Sequence, residues 1–191
     1  MTLQKFCLVT WLSLVFARLS SCGEVDSSAW RQYSDPKFHF SIQYPNITES
    51  KPLPDQESGL SSRVAFEFEQ SFQSGPDAGS LKFRFQISVW QNTNHLTAEA
   101  FAKQKIKPEL TLETRSIQMA GRKGVQIKTT NLAWTILKTF VVDKEHAYEL
   151  SYTDVAANKV LLPEGTRSYW TETFDKMLGS FRILPQDGGS N

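Results

Sequence analysis

Alternating apolar and polar residues mark three strands in the first half of the chain. Large apolar residues occupy every second position from Phe38 to Tyr44, and Pro45 ends this run. The same period of two recurs in residues 64–69 and 81–89, which are joined by a segment rich in Ser, Gly, Pro and Asp. A period of two is typical of strands with one buried face. We therefore predict one half-buried strand and a later antiparallel hairpin, whose acidic and basic outer faces pair across the strands.

Two other segments have apolar residues at helical spacing. Thr97 is a candidate N-cap for the first, with Leu96 and Phe101 placed as a hydrophobic staple, and Pro108 marks its end. The second spans residues 165–180, where large apolar side chains recur every three or four positions. Each predicted helix therefore has one apolar face that can cover a sheet.

The segment between these helices contains further strand-like stretches. They begin near Val125, near Trp134 and at Ala147, and turn-forming residues separate them at 121–124 and 143–145. Strands thus outnumber helices, and the length suits one hydrophobic core. We predict a single α+β domain.

The N-terminal residues have the layout of a secretory signal. Lys5 precedes an uncharged apolar run from Phe6 to Ala17, which Arg18 ends. A run of about a dozen residues is too short to cross a bilayer, which takes about 20. We therefore expect residues 1–21 to be a signal peptide that is removed on export.

The tetrad Leu-Ser-Ser-Cys at residues 19–22 resembles the lipobox of bacterial lipoproteins. In that family the cysteine sulfur receives a diacylglyceryl group, and cleavage occurs directly before the cysteine. The resemblance implies that Cys22 is the lipidation site and that residues 22–29 form a tether. Cys7 lies in the expected leader, so Cys22 would have no disulfide partner in the mature chain. The alternative is an ordinary secreted protein with a free thiol at Cys22.

Charge and motifs narrow the function classes further. The chain has 21 Lys and Arg against 20 Asp and Glu, a net charge of +1. Such a near-neutral chain lacks the field that gathers phosphate backbones, so we expect no nucleic-acid partner. The sequence contains no Gly-x-Ser-x-Gly, His-Glu-x-x-His, Cys-x-x-Cys or glycine-rich phosphate loop. We accordingly predict no catalytic residue, no cofactor and no metal ligand.

The three histidines are possible metal ligands. His39 is predicted on the outer face of the first strand, and His95 precedes the first helix. His146 follows Asp143 and Glu145, and these three could form a shallow metal site. A polar hairpin turn explains the same three residues without a metal.

Residues 33–45, 147–152 and 174–182 resemble the PsbP/Mog1-type domain, including the PsbP-related bacterial lipoproteins. The likeness rests on Tyr-Ser-Asp followed by Phe-His-Phe-Ser-Ile-Gln-Tyr-Pro, then Ala-Tyr-Glu-Leu-Ser-Tyr, then Phe-Asp-Lys-Met-Leu-Gly-Ser-Phe-Arg. Together with their spacing they cover residues 30–184, and we predict a disordered tail over residues 185–191. The resemblance implies a mainly antiparallel sheet flanked by helices, an α/β/α sandwich, with roles in binding or assembly.

We therefore expect a lipid-anchored, non-catalytic binding or assembly module of the bacterial cell envelope, in the periplasm or on the cell surface. Its partners would be membrane lipid, through N-terminal acylation, and an envelope protein. One alternative is a hydrolase-like envelope enzyme whose acid and base are distant in sequence, such as Asp154, Glu164 or His146. Another is a weak metal-binding protein.

Overall fold

The computed structural model describes most of the predicted domain. The described residues are 30–47, 50–53, 58–72, 79–130, 134–155, 157 and 164–185. The predicted signal peptide, the tether with Cys22, and residues 186–191 of the predicted tail lie outside them.

Strands dominate the described chain, with one helix in the middle and one near the end. In chain order the elements are β1 (Trp30–Asp35), β2 (Phe40–Pro45), β3 (Ser50–Pro52), β4 (Leu60–Phe72), β5 (Gly79–Gln91), α1 (Ala98–Lys105), β6 (Thr111–Met119), β7 (Arg122–Thr130), β8 (Thr135–Val142), β9 (His146–Thr153), α2 (Glu164–Ser180) and β10 (Arg182–Ile183). A short 3₁₀ turn, Pro108–Leu110, leads from α1 into β6. Neither described helix combines the length and the apolar content needed to cross a bilayer.

The strands form two antiparallel sheets. The large sheet has the order β3-β4-β5-β9-β8-β7-β6, and the small sheet has the order β1-β2-β10. The predicted α+β class and the mainly antiparallel sheet are confirmed. The small sheet was not predicted, because β1 and β10 are too short and too exposed to give a clear apolar period.

The two faces of the large sheet have different covers. On one face α2 and the small sheet enclose the main core, in which Phe40, Phe85 and Phe174 are fully buried. On the other face α1 packs on β7 and β8, with Phe101 against Phe140. Side chains of a strand alternate between faces, so neighbouring residues serve different clusters.

Helix α1 begins where the sequence predicts. The Thr97 hydroxyl accepts a hydrogen bond from the Ala100 N–H at 3.2 Å, as an N-cap does. The helix ends at Lys105, and Ile106 and Lys107 are already extended. A residue before proline is disfavoured in the helical region, so Pro108 ends the helix slightly upstream of itself.

Two predicted details of the turns are wrong. His39 does not lie on a strand: it is in the β1–β2 turn with a φ of 50°, and β2 begins only at Phe40. The turn predicted over residues 121–124 is centred on Ala120 and Gly121, and Gly124 lies inside β7. A Cβ at Gly124 would stand 2.7 Å from the Phe140 carbonyl oxygen, so close strand approach, and not a turn, requires glycine there.

Candidate functional site

A polar cleft opens between α2 and the β6 end of the large sheet, on the same face as the main core. Its volume is about 210 Å³. We use the name polar cleft for the site lined by Glu113, Arg115, Gln126, Lys128, Leu137, Tyr152, Asp154, Thr171 and Asp175. Five elements contribute to it, so the cleft depends on tertiary structure and not on a local motif.

Strand register brings the sheet residues of the cleft together. Glu113 lies opposite Lys128, and Arg115 lies opposite Gln126, across the β6–β7 pair. Gln126 lies in turn opposite Thr139 on β8. Residues opposite one another on one face are side-chain neighbours, so polar residues on three strands form one continuous surface.

Gln126 is the buried centre of this surface. It is 3% exposed, its Oε1 accepts from Nε of Arg115 at 2.8 Å, and its Nε2 donates to the Thr139 hydroxyl at 2.9 Å. A buried amide without partners would lose the free energy of its hydration, and here each end of the amide has one. Gln126 therefore holds the Arg115 guanidinium in place at the cleft.

Lys128 and Asp154 form the second fixed group of the cleft. Their Nζ–Oδ2 distance is 2.8 Å, and the Asp154 side chain is 8% exposed against 29% for Lys128. The Asp154 main-chain N–H donates to the Thr135 carbonyl at 2.8 Å, and its Oδ1 accepts from the Ala157 N–H at 3.1 Å. The contacts of the Asp154 carboxylate with Lys128 and Ala157 thus stabilise the chain just after β9.

Two titratable groups of the cleft have raised pKa values. Burial raises the pKa of the Tyr152 hydroxyl, and the nearby carboxylates of Asp175 and Asp154 raise it further, while Arg115 and Gln126 partly oppose them. Partial burial also raises the pKa of Asp175, although the residue as a whole remains exposed. Arg115 opposes that increase and Asp154 adds to it. Tyr152 therefore stays protonated at neutral pH and acts as a neutral hydroxyl.

The cleft combines charged and neutral polar groups. The lining residues include no histidine, cysteine or serine, and the Lys128 ammonium is held by a carboxylate. The cleft therefore carries hydrogen-bond donors and acceptors of both charges.

The structure places His146 and Asp154, two residues of the enzyme alternative, at opposite ends of β9. Asp154 lies in the polar cleft, whereas Glu164 is exposed at the start of α2. His146 begins β9, and Asp154 follows the end of that strand. Eight strand residues at 3.3 Å each place the two about 26 Å apart. They cannot act as acid and base on one bond.

The Asp143 turn is a hydrogen-bonded hairpin turn. Oδ1 of Asp143 accepts from the N–H groups of Glu145 at 2.8 Å and His146 at 2.6 Å, and Oδ2 accepts from the Tyr148 hydroxyl at 2.9 Å. Burial and the Asp143 charge raise the pKa of that hydroxyl. No group of three or more His, Cys, Asp or Glu residues in the described part of the chain is placed to hold a metal. These contacts favour the turn interpretation over the metal site.

The other face of β6 borders a second depression, which we name the apolar groove. It lies between α1 and the β6–β7 pair, has a volume of about 700 Å³, and is lined by Glu99, Ala102, Lys103, Ile106, Pro108, Thr111, Thr114, Ser116, Val125 and Ile127. Leu110 and Leu112 lie in the neighbouring segment of the same chain and are 41% and 58% exposed. The sequence did not reveal this groove, because β6 itself was not predicted.

Together, the two sheets and two helices define a PsbP-like fold. The solution structure of cyanobacterial PsbP (CyanoP) from Synechocystis sp. PCC 6803 matches with a TM-score of 0.54 at 14% identity, covering 87% of this chain and 99% of CyanoP. A crystal structure from Bacteroides thetaiotaomicron VPI-5482 matches with a TM-score of 0.41 at 14% identity, covering 82% of this chain and 49% of that one. No family model and no curated protein matches the sequence. The likeness to CyanoP confirms the PsbP-like fold that the sequence suggested.

Proposed function

We propose that this chain is a lipid-anchored, non-catalytic binding or assembly module of a bacterial cell envelope, and that the polar cleft is its binding site. The observation that supports binding over catalysis is the state of the charged groups in the cleft. Asp154 holds Lys128, and Gln126 holds Arg115, so both cations are fixed by hydrogen bonds before any ligand arrives. Pre-oriented polar groups favour recognition, because less conformational entropy is lost on binding.

The ligand that best fits the cleft is a polar segment of an envelope protein. Arg115 supplies N–H donors, Asp175 supplies an acceptor, and the Tyr152 hydroxyl can do either. A segment with both an acidic and an amide or hydroxyl side chain would match this set. The binding and assembly roles implied by the family resemblance agree with such a ligand.

The anchor is proposed from the sequence around Cys22. A short apolar run followed by Leu-Ser-Ser-Cys favours acylation of the cysteine sulfur. Each buried methylene contributes about 0.8 kcal/mol, so two or three acyl chains hold far more firmly than the marginal single chain. The folded domain would then stay in water at the membrane surface, in the periplasm or outside the cell.

Site-specific photocrosslinking from the full chain in a bacterial host tests the binding site. A photoreactive residue replaces Thr171, which lines the cleft, and Glu172 on the same helix serves as the matched control because it is exposed. We expect the same envelope protein in independent preparations from the Thr171 probe and none from the Glu172 probe. Equal adducts from both positions, or none from Thr171, would contradict the proposal.

A further inference from the structure

The two edges of the large sheet differ in how open they are. At one edge β3 has three residues, and these include Lys51 and Pro52, which discourage further strand pairing. At the other edge β6 has nine residues with mostly exposed side chains, and its pairing with β7 is regular from Glu113 to Met119, after an irregularity between Thr111 and Glu113. Among the described strands β6 pairs only with β7, so its outer row of N–H and C=O groups faces away from the sheet. Edge β6 is long enough to receive another strand.

We propose that β6 pairs antiparallel with β6 of a second copy of this chain, across a two-fold axis at Thr114. In this register Glu113 of each copy lies opposite Arg115 of the other, and Leu112 lies opposite Ser116. Five residues of each strand, 112–116, are paired, because an irregularity of β6 between Thr111 and Glu113 ends the regular strand near Leu112. The two Glu113–Arg115 pairs are the charge complementarity that selects a second copy as the occupant.

The charges of Glu113 and Arg115 disfavour the two registers next to the one with its axis at Thr114. In an antiparallel pair, opposite side chains point to the same face of the sheet. A two-fold axis perpendicular to the sheet must therefore pass through a residue of β6, and the alternatives next to Thr114 are Glu113 and Arg115. An axis at Glu113 places two carboxylates opposite each other, and an axis at Arg115 does the same with two guanidinium groups. Like charges directly opposite are destabilising. The Thr114 register is the one among these three that pairs opposite charges.

The second face of β6 supports the same partner. Thr114 and Ser116 border the apolar groove, and Ser116 lies opposite Val125 on β7. In the proposed register Leu112 of the second copy continues this row beyond Ser116. Its side chain, 58% exposed in the single chain, then packs at the open side of the groove toward Val125. Exposed apolar surface on both copies is buried by one symmetric contact.

Pairing also changes the polar cleft. Because the axis is perpendicular to the sheet, both clefts open on the same side of the joined sheet. Glu113 and Arg115 line each cleft, so each copy adds both of these residues to the rim of the other cleft. Self-pairing does not rest on the proposed function, and it holds whether or not Cys22 carries lipid.

Cysteine crosslinking of the full chain tests the axis. Opposite residues of an antiparallel pair have Cβ atoms about 4.5–5.5 Å apart, near the range that a disulfide bridges. Thr114→Cys should therefore give a disulfide-linked dimer under mild oxidation. Gln118→Cys is the control: it lies on the same face of β6, but about 27 Å along the strands from its own copy. The unsubstituted chain gives the baseline from Cys7 and Cys22.

Equal crosslinking at positions 114 and 118, crosslinking of Thr114→Cys to another protein, or none above the baseline would overturn the proposal. Charge reversal provides an independent measurement. Glu113→Arg and Arg115→Glu should each weaken dimerisation about tenfold in sedimentation equilibrium, because each creates two like-charge pairs. The double variant should restore the affinity, although it still lacks the Arg115–Gln126 hydrogen bond. A double variant no tighter than the single variants, or a native chain that stays monomeric, would also overturn it. Failure of the Thr171 photocrosslinking would leave both results unchanged.

Discussion

Helix α2 meets two very different surfaces on one face of the large sheet. Toward β4 and β5 it contacts an aromatic cluster, in which the ring centroids of Phe68 lie 5.2 Å from Trp170 and 5.6 Å from Phe174. Toward β6 and β7 it places Thr171 and Asp175 beside the charged and amide groups of the polar cleft. Neighbouring positions on one helix therefore contribute to an apolar core and to the polar cleft.

This difference indicates that some positions of α2 stabilise the fold, whereas others shape the polar cleft. Tightly packed aromatic rings fix the helix because their contacts are large, apolar and specific in geometry. Polar groups of the cleft contribute less to stability, since their hydrogen bonds replace bonds with water. A helix that is fixed by its aromatic positions can present polar positions to a partner with little loss of entropy.

The largest effect is expected at the aromatic end. Phe174 is fully buried and contacts the rings of Phe85, Tyr152 and Trp170 as well as Phe68. Phe174→Ala should lower the free energy of unfolding by about 3–5 kcal/mol, because it leaves a cavity in a packed core. Urea denaturation measures this, and Phe174→Leu should lose clearly less. A loss below about 1 kcal/mol for alanine would contradict the assignment of stability to this end.

A smaller effect is expected at the centre of the polar cleft. Gln126→Ala removes the partner of Arg115 and of the Thr139 hydroxyl and should cost about 2 kcal/mol of unfolding free energy. Gln118→Ala, on the exposed face of β6, is the matched amide control and should change stability by less than about 0.5 kcal/mol. Equal losses for the two amides, measured by urea denaturation, would mean that the buried amide does not organise the cleft.

The smallest effect concerns Asp175 and depends on pH. A carboxyl whose pKa is raised in the folded state disfavours folding when ionised, so native stability falls as pH rises from the unfolded value, about 3.9, through the raised value. Asp175→Asn should be neutral near pH 3 and slightly stabilising at pH 7, by less than about 0.5 kcal/mol because the residue is exposed. Thermal unfolding at the two pH values measures it, with Glu172→Gln as a control for charge removal. A destabilised variant at pH 7 would show that the carboxylate is attracted into the cleft instead.

Local patterns predicted the parts of the fold that local physics determines. The β4–β5 hairpin has the predicted cross-strand charges, with Glu67 opposite Arg84 and their side chains 2.6 Å apart. Thr97 caps α1 as expected. Trp170 and Phe174 point into the core, as helical spacing predicts. In each case the deciding contacts lie within one element or one hairpin.

The polar cleft could not be predicted in this way. The sequence suggests Asp154 only as an acid or base of the enzyme alternative. Arg115, Gln126 and Lys128 resemble the outward-facing polar residues of ordinary strands. They meet only because β6, β7 and β8 have a particular register and α2 returns over them. Strand β6 itself lacks an apolar period, since Leu112 is exposed and its neighbours are polar. Edge strands of this kind carry little sequence signal.

We propose that the folded domain is attached to a membrane through the sulfur atom of Cys22, and mass analysis of the mature N-terminus measures this attachment. Full chain purified from bacterial membranes should begin at Cys22, carry the mass of a diacylglyceryl group, and resist thiol alkylation. The Cys22→Ser variant should keep its leader, because the cleavage site is lost, and the apolar leader should hold it in the detergent phase. Only a variant that is cut at another site should move into the aqueous phase. A native product that begins at another residue, or a Cys22 thiol that alkylates freely, would contradict lipid attachment at Cys22.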